Sequence, residues 1–504
     1  MANPLYDCLF AAHAGRDAAF LHLPGGKTLS YAAFLAQAAQ LSHTLRSQGL
    51  RPGDRLAAQV EKSHHALALY AACVEAGVVF LPLNTAYTGA ELGYFLTDSA
   101  AGLFVCDPGR AEALAGPAQA AGVPVATLGT DGSGSLSDLA QRAPADPAPA
   151  ERSENDLAAL LYTSGTTGRS KGAMLTQGNL LSNAETLAEI WRFSREDVLL
   201  HALPIFHTHG LFVATNVTLA AGGSMIFQPK FDPDAVFAAL PQASAMMGVP
   251  TFYTRLLADA RLTRDVAAHM RLFVSGSAPL LAETHAAFEA RTGHAILERY
   301  GMTETNMNSS NPYDGPRRAG TVGQPLPGVE IRITDPASGA AVPPGETGAI
   351  EVRGPNVFSG YWRMPEKTAQ ELRPDGFFLT GDLGCVDAQG YLQIVGRSKD
   401  LIISGGYNIY PKEIELLLDA QPGVLETAVI GVPHPDFGET PVALIVAKAD
   451  AQPDLEALGQ AVATSLARFK QPRRMILVDA LPRNVMGKVQ KNVLRDAHAG
   501  LFQP

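Results

Sequence analysis

The stretch richest in groups that could do chemistry is residues 162–172, Tyr-Thr-Ser-Gly-Thr-Thr-Gly-Arg-Ser-Lys-Gly. Glycine lets the backbone approach a ligand closely, and serine and threonine add hydroxyl donors. Successive backbone N–H groups in such a turn suit an anion, and Arg169 and Lys171 add positive charge. The apolar residues 157–161 lead into the stretch and are typical of a buried strand. The sequence therefore predicts a phosphate-handling loop at a strand end.

This loop differs from the P-loop of nucleotidases. That pattern places glycine and lysine side by side and follows them with serine or threonine, whereas Ser170 stands directly before Lys171 here. A flexible linker is the alternative that the glycine, serine and threonine content alone would allow. The strand leading into the stretch favours the phosphate loop.

Other polar turns follow apolar runs further along the chain. Predicted strands near residues 199–203, 245–249, 271–274 and 295–298 each run directly into such a turn. Helical and strand patterns alternate from the N-terminus, and residues 31–47 are predicted to form an amphipathic helix. This alternation predicts mostly parallel sheets with helices on their faces. Because ligands of open parallel sheets bind at the carboxyl ends of the strands, these turns are expected to cluster.

The pattern changes near residue 328, where short strands and hairpins begin, and a compact last unit follows residue 396. The predicted fold is therefore of the α/β class. It combines a large N-terminal domain of several subdomains, with helix-flanked sheets plus a small β region, and a small α/β C-terminal domain.

Length and composition narrow the function classes. A chain of 504 residues exceeds one hydrophobic core, and 46% apolar with 17% charged residues is ordinary for a soluble enzyme. A net charge of −10 disfavours nucleic acid and anionic membranes as partners. The four cysteines show no CxxC spacing, which argues against a disulfide framework or a zinc site. We see no signal peptide and no apolar run long enough to span a bilayer, so a cytoplasmic location is expected.

The phosphate-handling loop resembles that of the adenylate-forming superfamily, which holds acyl-CoA synthetases, adenylation domains of peptide synthetases and luciferases. Within it, the whole chain resembles malonyl-CoA synthetases. The resemblance implies an AMP-binding domain over residues 1–397 and a mobile C-terminal domain over residues 398–504, with ATP, Mg²⁺ and CoA as cofactor and co-substrates.

The resemblance also assigns roles to single residues. It assigns ATP binding to Thr163, Ser164, Gly165, Thr166, Thr167, Gly168, Lys171, Gly276, Ser277, Ala278, Tyr300, Gly301, Met302, Thr303, Asp382 and Arg397. Glu304 and Thr167 would hold Mg²⁺ against the ATP phosphates, and His207 would line the acyl pocket. Lys488 would be the catalytic lysine, Lys399 the hinge, and Gly405 and Gly406 part of a tunnel for CoA.

Each of these motifs has a plainer interpretation. Thr303 could cap a solvated helix that carries Glu304, Gly-Asp turns such as the one at Asp382 are common, and Lys488 could belong to a solvated basic face. His207 and His209 could suggest a metal, but no carboxylate or cysteine accompanies them at ligand spacing.

The implied chemistry has two steps. ATP and a carboxylate give an acyl-adenylate and pyrophosphate, and CoA then displaces AMP to give a thioester. No protein nucleophile is required, so catalysis would rest on positioning and on electrostatic stabilisation by Lys488.

Two arginines indicate which acid is used. Arg299 stands at the end of a predicted strand, where fatty-acyl and aryl members of the superfamily commonly have glycine, and Arg255 lies one turn into a predicted helix. Buried guanidinium groups would reject an alkyl chain but bind a second carboxylate bidentately. This predicts a short dicarboxylate, and the resemblance to malonyl-CoA synthetases implies malonate. Methylmalonate is expected as a second substrate, because one methyl group discriminates weakly. The alternative is that the arginines pair with Asp or Glu structurally.

Three other functions stay open. They are a synthetase for another short acid, an adenylation enzyme that loads a carrier protein in trans, and a non-catalytic nucleotide sensor. A monomer or weak homodimer acting on small molecules is expected.

Overall fold

The computed structural model describes residues 2–163, 170–404, 407–449, 451–484 and 487–502. The chain divides into two compact units, Met1–Glu330 with Arg353–Phe378, and Ile331–Val352 with Leu379–Pro504. The predicted boundary between residues 397 and 398 lies inside the second unit, and as a moving hinge it stays a prediction. The α/β class is confirmed, because the first unit alternates helices with strands of mostly parallel sheets.

Two sheets organise the first unit. Its strands are β1 (Ala19–His22), β2 (Thr28–Ser30), β3 (Arg55–Gln59), β4 (Val79–Pro82), β5 (Leu103–Cys106), β6 (Val125–Thr127), β7 (Leu157–Thr163), β8 (Lys171–Thr176), β9 (Val198–His201), β10 (Ser224–Phe227), β11 (Ala245–Gly248), β12 (Leu272–Ser275), β13 (Leu297–Met302), β14 (Asn306–Ser310) and β15 (Gln324–Pro325). The six-stranded sheet has the order β6-β5-β3-β4-β7-β8 and is parallel except for β7 with β8. The nine-stranded sheet has the order β15-β14-β13-β12-β11-β9-β10-β1-β2, with antiparallel pairs only at its two edges.

Helices cover these sheets. They are α1 (Pro4–Leu9), α2 (Tyr31–Ser47), α3 (His64–Ala76), α4 (Gly89–Ser99), α5 (Ala111–Ala120), α6 (Ser135–Ala140), α7 (Gln177–Ile190), α8 (Asn216–Ala221), α9 (Pro233–Ala239), α10 (Pro250–Leu257), α11 (Arg264–Ala267), α12 (Ala282–Thr292) and α13 (Pro365–Glu371). Side-chain caps fix several starts: Ser30 accepts from the third residue of α2, and Ser63 does the same for α3. A π-helix over His209–Thr215 leads into α8.

Aromatic side chains dominate the core that supports the nine-stranded sheet. Tyr253 of α10, Phe273 of β12 and Phe288 of α12 are fully buried and pack edge to face against one another. Such packing holds the neighbouring ends of β11, β12 and β13 in fixed relation.

The strand that carries Arg299 differs from the prediction. Instead of ending near residue 298, β13 continues to Met302 and turns back into β14 as an antiparallel hairpin. Glu304 lies in the turn of this hairpin, so the alternative of a capped helix start at Thr303 is wrong. Gly301 is required here, because an added Cβ would lie 1.8 Å from the Asn306 carbonyl oxygen.

The second unit is built mostly from antiparallel strands, with β24 parallel to β23, and a few helices. Its elements are β16 (Glu330–Thr334), β17 (Gly348–Arg353), β18 (Phe378–Val386), β19 (Leu392–Arg397), β20 (Ile402–Ser404), β21 (Tyr407–Ile409), α14 (Pro411–Asp419), β22 (Val424–His434), β23 (Gly438–Ala447), α15 (Leu455–Ser465), β24 (Arg474–Leu477) and α16 (Lys491–His498). The first four strands form one sheet in chain order, and the rest form a second sheet around β23. In the described part of the chain, we find no helix of the length and apolarity that a bilayer crossing needs.

Candidate active site

A buried arginine with two unpaired nitrogens in the described part of the chain marks the first candidate site. Arg299 on β13 is only 4% exposed, and within the described residues its Nε and Nη2 atoms have no hydrogen-bond partner. The hydrogens on these two nitrogens point the same way and form the side-on fork that binds a carboxylate bidentately. Buried polar groups are normally satisfied, so an unused fork indicates a ligand that supplies the acceptors.

Burial makes this cation costly in the absence of a ligand. It lowers the pKa of Arg299 to about 9, against a small opposing contribution from Tyr253. Tyr253 itself is committed elsewhere, since its hydroxyl donates to the Val274 carbonyl oxygen at 2.6 Å. An anion beside the fork would offset the cost of burial.

The guanidinium group lies directly over the backbone after β12. A Cβ added at Gly276 would meet Arg299 Cζ at 2.4 Å and its Nε at 2.6 Å. Only glycine therefore leaves room for the guanidinium in this position. The predicted residues Gly276 and Arg299 are thus brought together, although the prediction gave them different ligands.

The π-helix places a neutral histidine near this cation. His209 is buried, its Nδ1 lies 3.2 Å from Ser277 Oγ, and its Nε2 has no hydrogen-bond partner among the described residues. Burial lowers the pKa of His209 well below its ordinary value, with further contributions from Arg299, His207 and His201. A neutral ring can donate one hydrogen bond to a ligand without adding charge. π-Helices are often found at functional sites, which agrees with this position.

His207, the histidine singled out from the sequence, is half-buried, and its Nδ1 accepts from the His209 backbone N–H at 3.4 Å. Across the described residues, no group of three or more His, Cys, Asp or Glu side chains could hold a metal ion.

A buried lysine and histidine support the same π-helix. His201 Nε2 lies 2.8 Å from the Gly210 carbonyl oxygen, which can only accept, so Nε2 carries the proton and Nδ1 accepts. Lys62 Nζ donates to that Nδ1 at 2.9 Å and to the His201 carbonyl oxygen at 2.8 Å, and lies 4.3 Å from the centre of the Phe227 ring. Burial lowers the pKa of Lys62 well below its ordinary value. Sequence reasoning missed this residue, because no local pattern distinguishes a buried lysine after a strand.

A second cluster lies at the start of β8 and around the hairpin turn. The Tyr361 hydroxyl lies 3.0 Å from Glu304 Oε1 and 2.6 Å from Glu371 Oε2. Lys171 Nζ lies 3.2 Å from Glu371 Oε1 and 4.1 Å from the centre of the Tyr361 ring. The predicted phosphate ligand Lys171 and the predicted metal ligand Glu304 are therefore joined through two residues that the sequence did not indicate.

The donor set at Glu304 fits Mg²⁺ bound together with a polyphosphate. Mg²⁺ needs hard oxygen ligands and few of them from the protein, because phosphate oxygens and water complete its octahedron. Glu304 supplies one carboxylate that is 5% exposed and anchored in the hairpin turn. Thr167, the second predicted metal ligand, lies outside the described residues.

The second unit brings two predicted ATP ligands into contact. Arg397 Nε lies 2.7 Å from Asp382 Oδ1, and the two residues face each other across β18 and β19. The Thr380 hydroxyl accepts from the Asp382 backbone N–H at 3.0 Å, and Gly381 has a φ of 71°, so a tight turn presents the carboxylate.

The remaining predicted residues have simpler surroundings. Lys488 is exposed, and its backbone N–H donates to Asn484 Oδ1 at 3.0 Å. Lys399 is exposed in a short turn of 3₁₀-helix, Ser398–Asp400. Thr163 ends β7, Tyr300 is buried, and Met302, Thr303 and Ala278 are half-buried. The predicted residues Ser164, Gly165, Thr166, Gly168, Gly405 and Gly406 lie outside the described residues.

Arg255 differs in exposure from Arg299, with which it was predicted to share a pocket. It lies on α10 as expected for a helix after a strand, but its side chain is exposed while Arg299 is buried. Within the described residues, no hydrogen bond or ion pair joins the two arginines to a common group. Of the two, the buried nitrogens without a hydrogen-bond partner in the described part of the chain are those of Arg299, and a role for Arg255 at the same carboxylate stays a prediction.

Known proteins share both the fold and the extent of this chain. A model of the AMP-binding enzyme family matches residues 10–362, and one of the AMP-binding enzyme C-terminal domain matches residues 413–488. The crystal structure of ATP-bound MatB from Rhodopseudomonas palustris is 56% identical, covers 100% of both chains and superposes with a TM-score of 0.97.

Curated relatives are similar over most of the chain. A feruloyl-CoA synthase from Amycolatopsis sp is 39% identical over 94% of each chain, and a malonate–CoA ligase from Arabidopsis thaliana is 36% identical over 83% of this chain and 74% of its own. The chain belongs to the AMP-binding enzyme family.

Proposed function

We propose that the protein is a malonate–CoA ligase. As an AMP-forming acid–CoA ligase it couples ATP to malonate, releases pyrophosphate, and transfers the malonyl group of malonyl-AMP to CoA with release of AMP. The observation that carries the choice of acid is the buried Arg299 with its side-on fork unpartnered. The similarity to MatB and to the malonate–CoA ligase of Arabidopsis thaliana supports the same choice.

The second carboxylate of malonate is the group that the Arg299 site fits. A buried cation without an acceptor costs several kcal/mol, and an uncharged acyl chain would leave that cost in place. A carboxylate placed on the fork would accept two parallel hydrogen bonds and would neutralise the charge. His209 could add a third hydrogen bond from Nε2 if Ser277 donates to its Nδ1.

The catalytic roles follow the family pattern. In the proposed enzyme Glu304 and Thr167 would hold Mg²⁺, and the bound metal would supply neutralisation of phosphate charge. Lys488 stabilises the charge that develops where the carboxylate attacks the α-phosphate. His207 lines the acyl pocket.

Nucleotide and CoA positioning is also part of the proposal. The loop residues from Thr163 to Lys171, the backbone of Gly276 to Ala278 and the hairpin segment Tyr300 to Thr303 hold ATP. Asp382 binds its ribose, and Arg397 reaches the nucleotide. Residues 1–397 and 398–504 act as domains that reorient about Lys399, with Gly405 and Gly406 lining the path of CoA.

We further propose that methylmalonate is accepted, that the protein works in the cytoplasm and that it is a monomer or weak homodimer. A methyl group on C2 of malonate changes binding by only about 1–3 kcal/mol in an apolar pocket. It leaves both carboxylates in place, so the Arg299 fork is used in the same way.

Pyrophosphate release tests the proposal. Wild-type protein with ATP, CoA and malonate is expected to be active, and Arg299→Gly is expected to lose malonate kcat/KM by about a hundredfold or more while gaining turnover of acetate or butyrate. Arg255→Ala decides whether the exposed arginine takes part, since a matching loss would place it at the same carboxylate.

The outcomes separate the alternatives. Malonate turnover that survives Arg299→Gly overturns the substrate assignment and leaves a synthetase for another acid. Pyrophosphate release without CoA consumption favours loading of a carrier protein, and ATP binding without any pyrophosphate release favours a nucleotide sensor.

A further inference from the structure

The cluster around Tyr361 contains more acceptors than its hydroxyl can serve. Tyr361 is 2% exposed, and its single hydroxyl proton faces Glu371 Oε2 at 2.6 Å and Glu304 Oε1 at 3.0 Å. One hydroxyl can donate to only one carboxylate at a time. The shorter distance assigns the proton to Glu371, which binds Tyr361 to the helix α13.

Tyr361 and α13 are also fixed to each other through the backbone. The Tyr361 N–H donates to Thr368 Oγ1 at 2.9 Å, and a Cβ added at Gly360 would meet Thr368 Cγ2 at 2.7 Å. Glu371 ends this same helix. The position of the Glu371 carboxylate is therefore set by contacts that do not involve Lys171.

Lys171 forms an ion pair with the Glu371 carboxylate. Its Nζ lies 3.2 and 3.4 Å from the two oxygens of Glu371 and over the Tyr361 ring, and its side chain is 12% exposed. Lys367, one helical turn from Glu371, lies 2.8 Å from the same carboxylate. Burial opposes ionisation of Glu371, but Lys367, the Tyr361 hydroxyl and Lys171 outweigh it and lower the pKa of this carboxyl.

We infer that Glu371 is the counter-ion that Lys171 exchanges for the phosphates of ATP, so that Glu371 sets the affinity for ATP by competition. The inference rests on the proposed function, in which Lys171 is a phosphate ligand. A lysine that is ion-paired within the protein must give up that pair before its ammonium binds phosphate.

The surroundings of Glu371 make this exchange possible. When Lys171 leaves, the Glu371 carboxylate keeps Lys367 and the Tyr361 hydroxyl, so it is not left as an unpaired buried charge. Lys171 carries no comparable second partner on the protein in the described residues apart from the Tyr361 ring. Separation of the pair therefore leaves the Glu371 carboxylate with two other partners, while the Lys171 ammonium becomes available to the phosphates of ATP.

Binding of ATP and of adenosine, each measured by calorimetry, tests the inference. Glu371→Gln removes the competing charge but keeps an acceptor for Tyr361, so ATP is expected to bind roughly fivefold more tightly. Adenosine has no phosphate, and its affinity is expected to stay the same. Lys171→Met is expected to weaken ATP and to abolish the gain from Glu371→Gln in the double variant.

Lys367→Met gives a second measurement of opposite sign. Without Lys367 the Glu371 carboxylate holds Lys171 more tightly, so ATP is expected to bind roughly twofold more weakly, again with adenosine unchanged. A general structural role for α13 would instead change both ligands in the same direction.

Each failure points to one conclusion. If Glu371→Gln weakens ATP binding or leaves it unchanged while Lys171→Met weakens it, the competition is refuted and the proposed function stands. If Lys171→Met has no effect on ATP, Lys171 is not a phosphate ligand and the inference fails with that assignment. If the predicted changes are all seen but malonate is not turned over, the inference stands and the proposed substrate is wrong.

Discussion

Replacing Arg299 by methionine should make the unliganded protein more stable while destroying its use of malonate. Methionine keeps an unbranched side chain of similar reach but removes the buried charge. Within the described residues the Arg299 fork has no intramolecular acceptor to lose. The substitution therefore measures the free-energy cost of the buried charge in the unliganded protein separately from the contribution of Arg299 to malonate binding.

The expected increase in the free energy of unfolding follows from the burial of the Arg299 guanidinium. Burial lowers the pKa of Arg299 from 12.5 to about 9, which corresponds to about 5 kcal/mol against the charged form. Some of this is offset by packing contacts that methionine cannot reproduce. Replacements of unfavourable buried charges by apolar residues typically gain about 1–4 kcal/mol, and we expect Arg299→Met to raise the free energy of unfolding within that range.

Chemical denaturation of the unliganded proteins measures this gain. Lys62→Met is the matched control: it also removes a buried basic side chain, but one that donates to His201 and lies over the Phe227 ring. It leaves His201 Nδ1 unpaired, so it should lower the free energy of unfolding by about 1–3 kcal/mol.

A ligand series completes the assay. With a non-hydrolysable ATP analogue present, malonate at a hundred times its Kd should stabilise the wild type by about 2.7 kcal/mol and Arg299→Met not at all. The reasoning is refuted if Arg299→Met destabilises the unliganded protein as Lys62→Met does, because Arg299 would then be a structural cation.

Three further substitutions have defined outcomes. Gly276→Ala should push the Arg299 guanidinium away and raise the KM for malonate about tenfold or more in steady-state assays. Gly301→Ala should lower the thermal midpoint strongly, because its Cβ would overlap the Asn306 carbonyl oxygen; a midpoint like that of wild type would contradict the hairpin geometry. Burial, partly opposed by Lys412, raises the pKa of Asp419 to about 6, so the folded state binds a proton that the unfolded state releases, and stability falls as pH rises from 3.8 to about 6. Asp419→Asn should remove that fall and add up to about 3 kcal/mol at pH 7, measured by denaturation across this pH range.

Much of the fold could be predicted because its signals are local. The helix expected over residues 31–47 is α2 (Tyr31–Ser47), and the strand expected near residues 245–249 is β11 (Ala245–Gly248). Both depend on apolar periodicity and on a capping residue, which are visible within a few positions.

The β13–β14 hairpin could not be predicted in the same way. Polar residues from Arg299 to Asn308 break the usual apolar pattern, yet most of them are buried. Their burial depends on neighbours such as Gly276 and Asn356 that are distant in the chain. A single sequence therefore predicts a turn after residue 298 where the structure has a continued strand.

The site shows the same division between local and distant contributions. Arg299 could be singled out because it stands where related proteins commonly have glycine, and Lys171 because it ends a loop rich in glycine and hydroxyl groups. Glu304 was assigned by the resemblance, and the roles of all three stay predictions. Tyr361 and Glu371 were missed, since they reach Glu304 and Lys171 from a segment up to 200 residues away and lie on an ordinary amphipathic stretch. The exposed position of Arg255 was also outside what a helical pattern alone can indicate.

The position of the Arg299 guanidinium over Gly276 bears on how substrate choice could change in evolution. In the proposed enzyme one side chain both supplies the charge for a dicarboxylate and fills the space that a longer acyl group would need. An arginine codon becomes a glycine codon through one base change, and that change would remove charge and bulk together. A scaffold shared by relatives named for feruloyl and malonyl substrates could thus move between acid classes in a single mutational step, without an inactive intermediate.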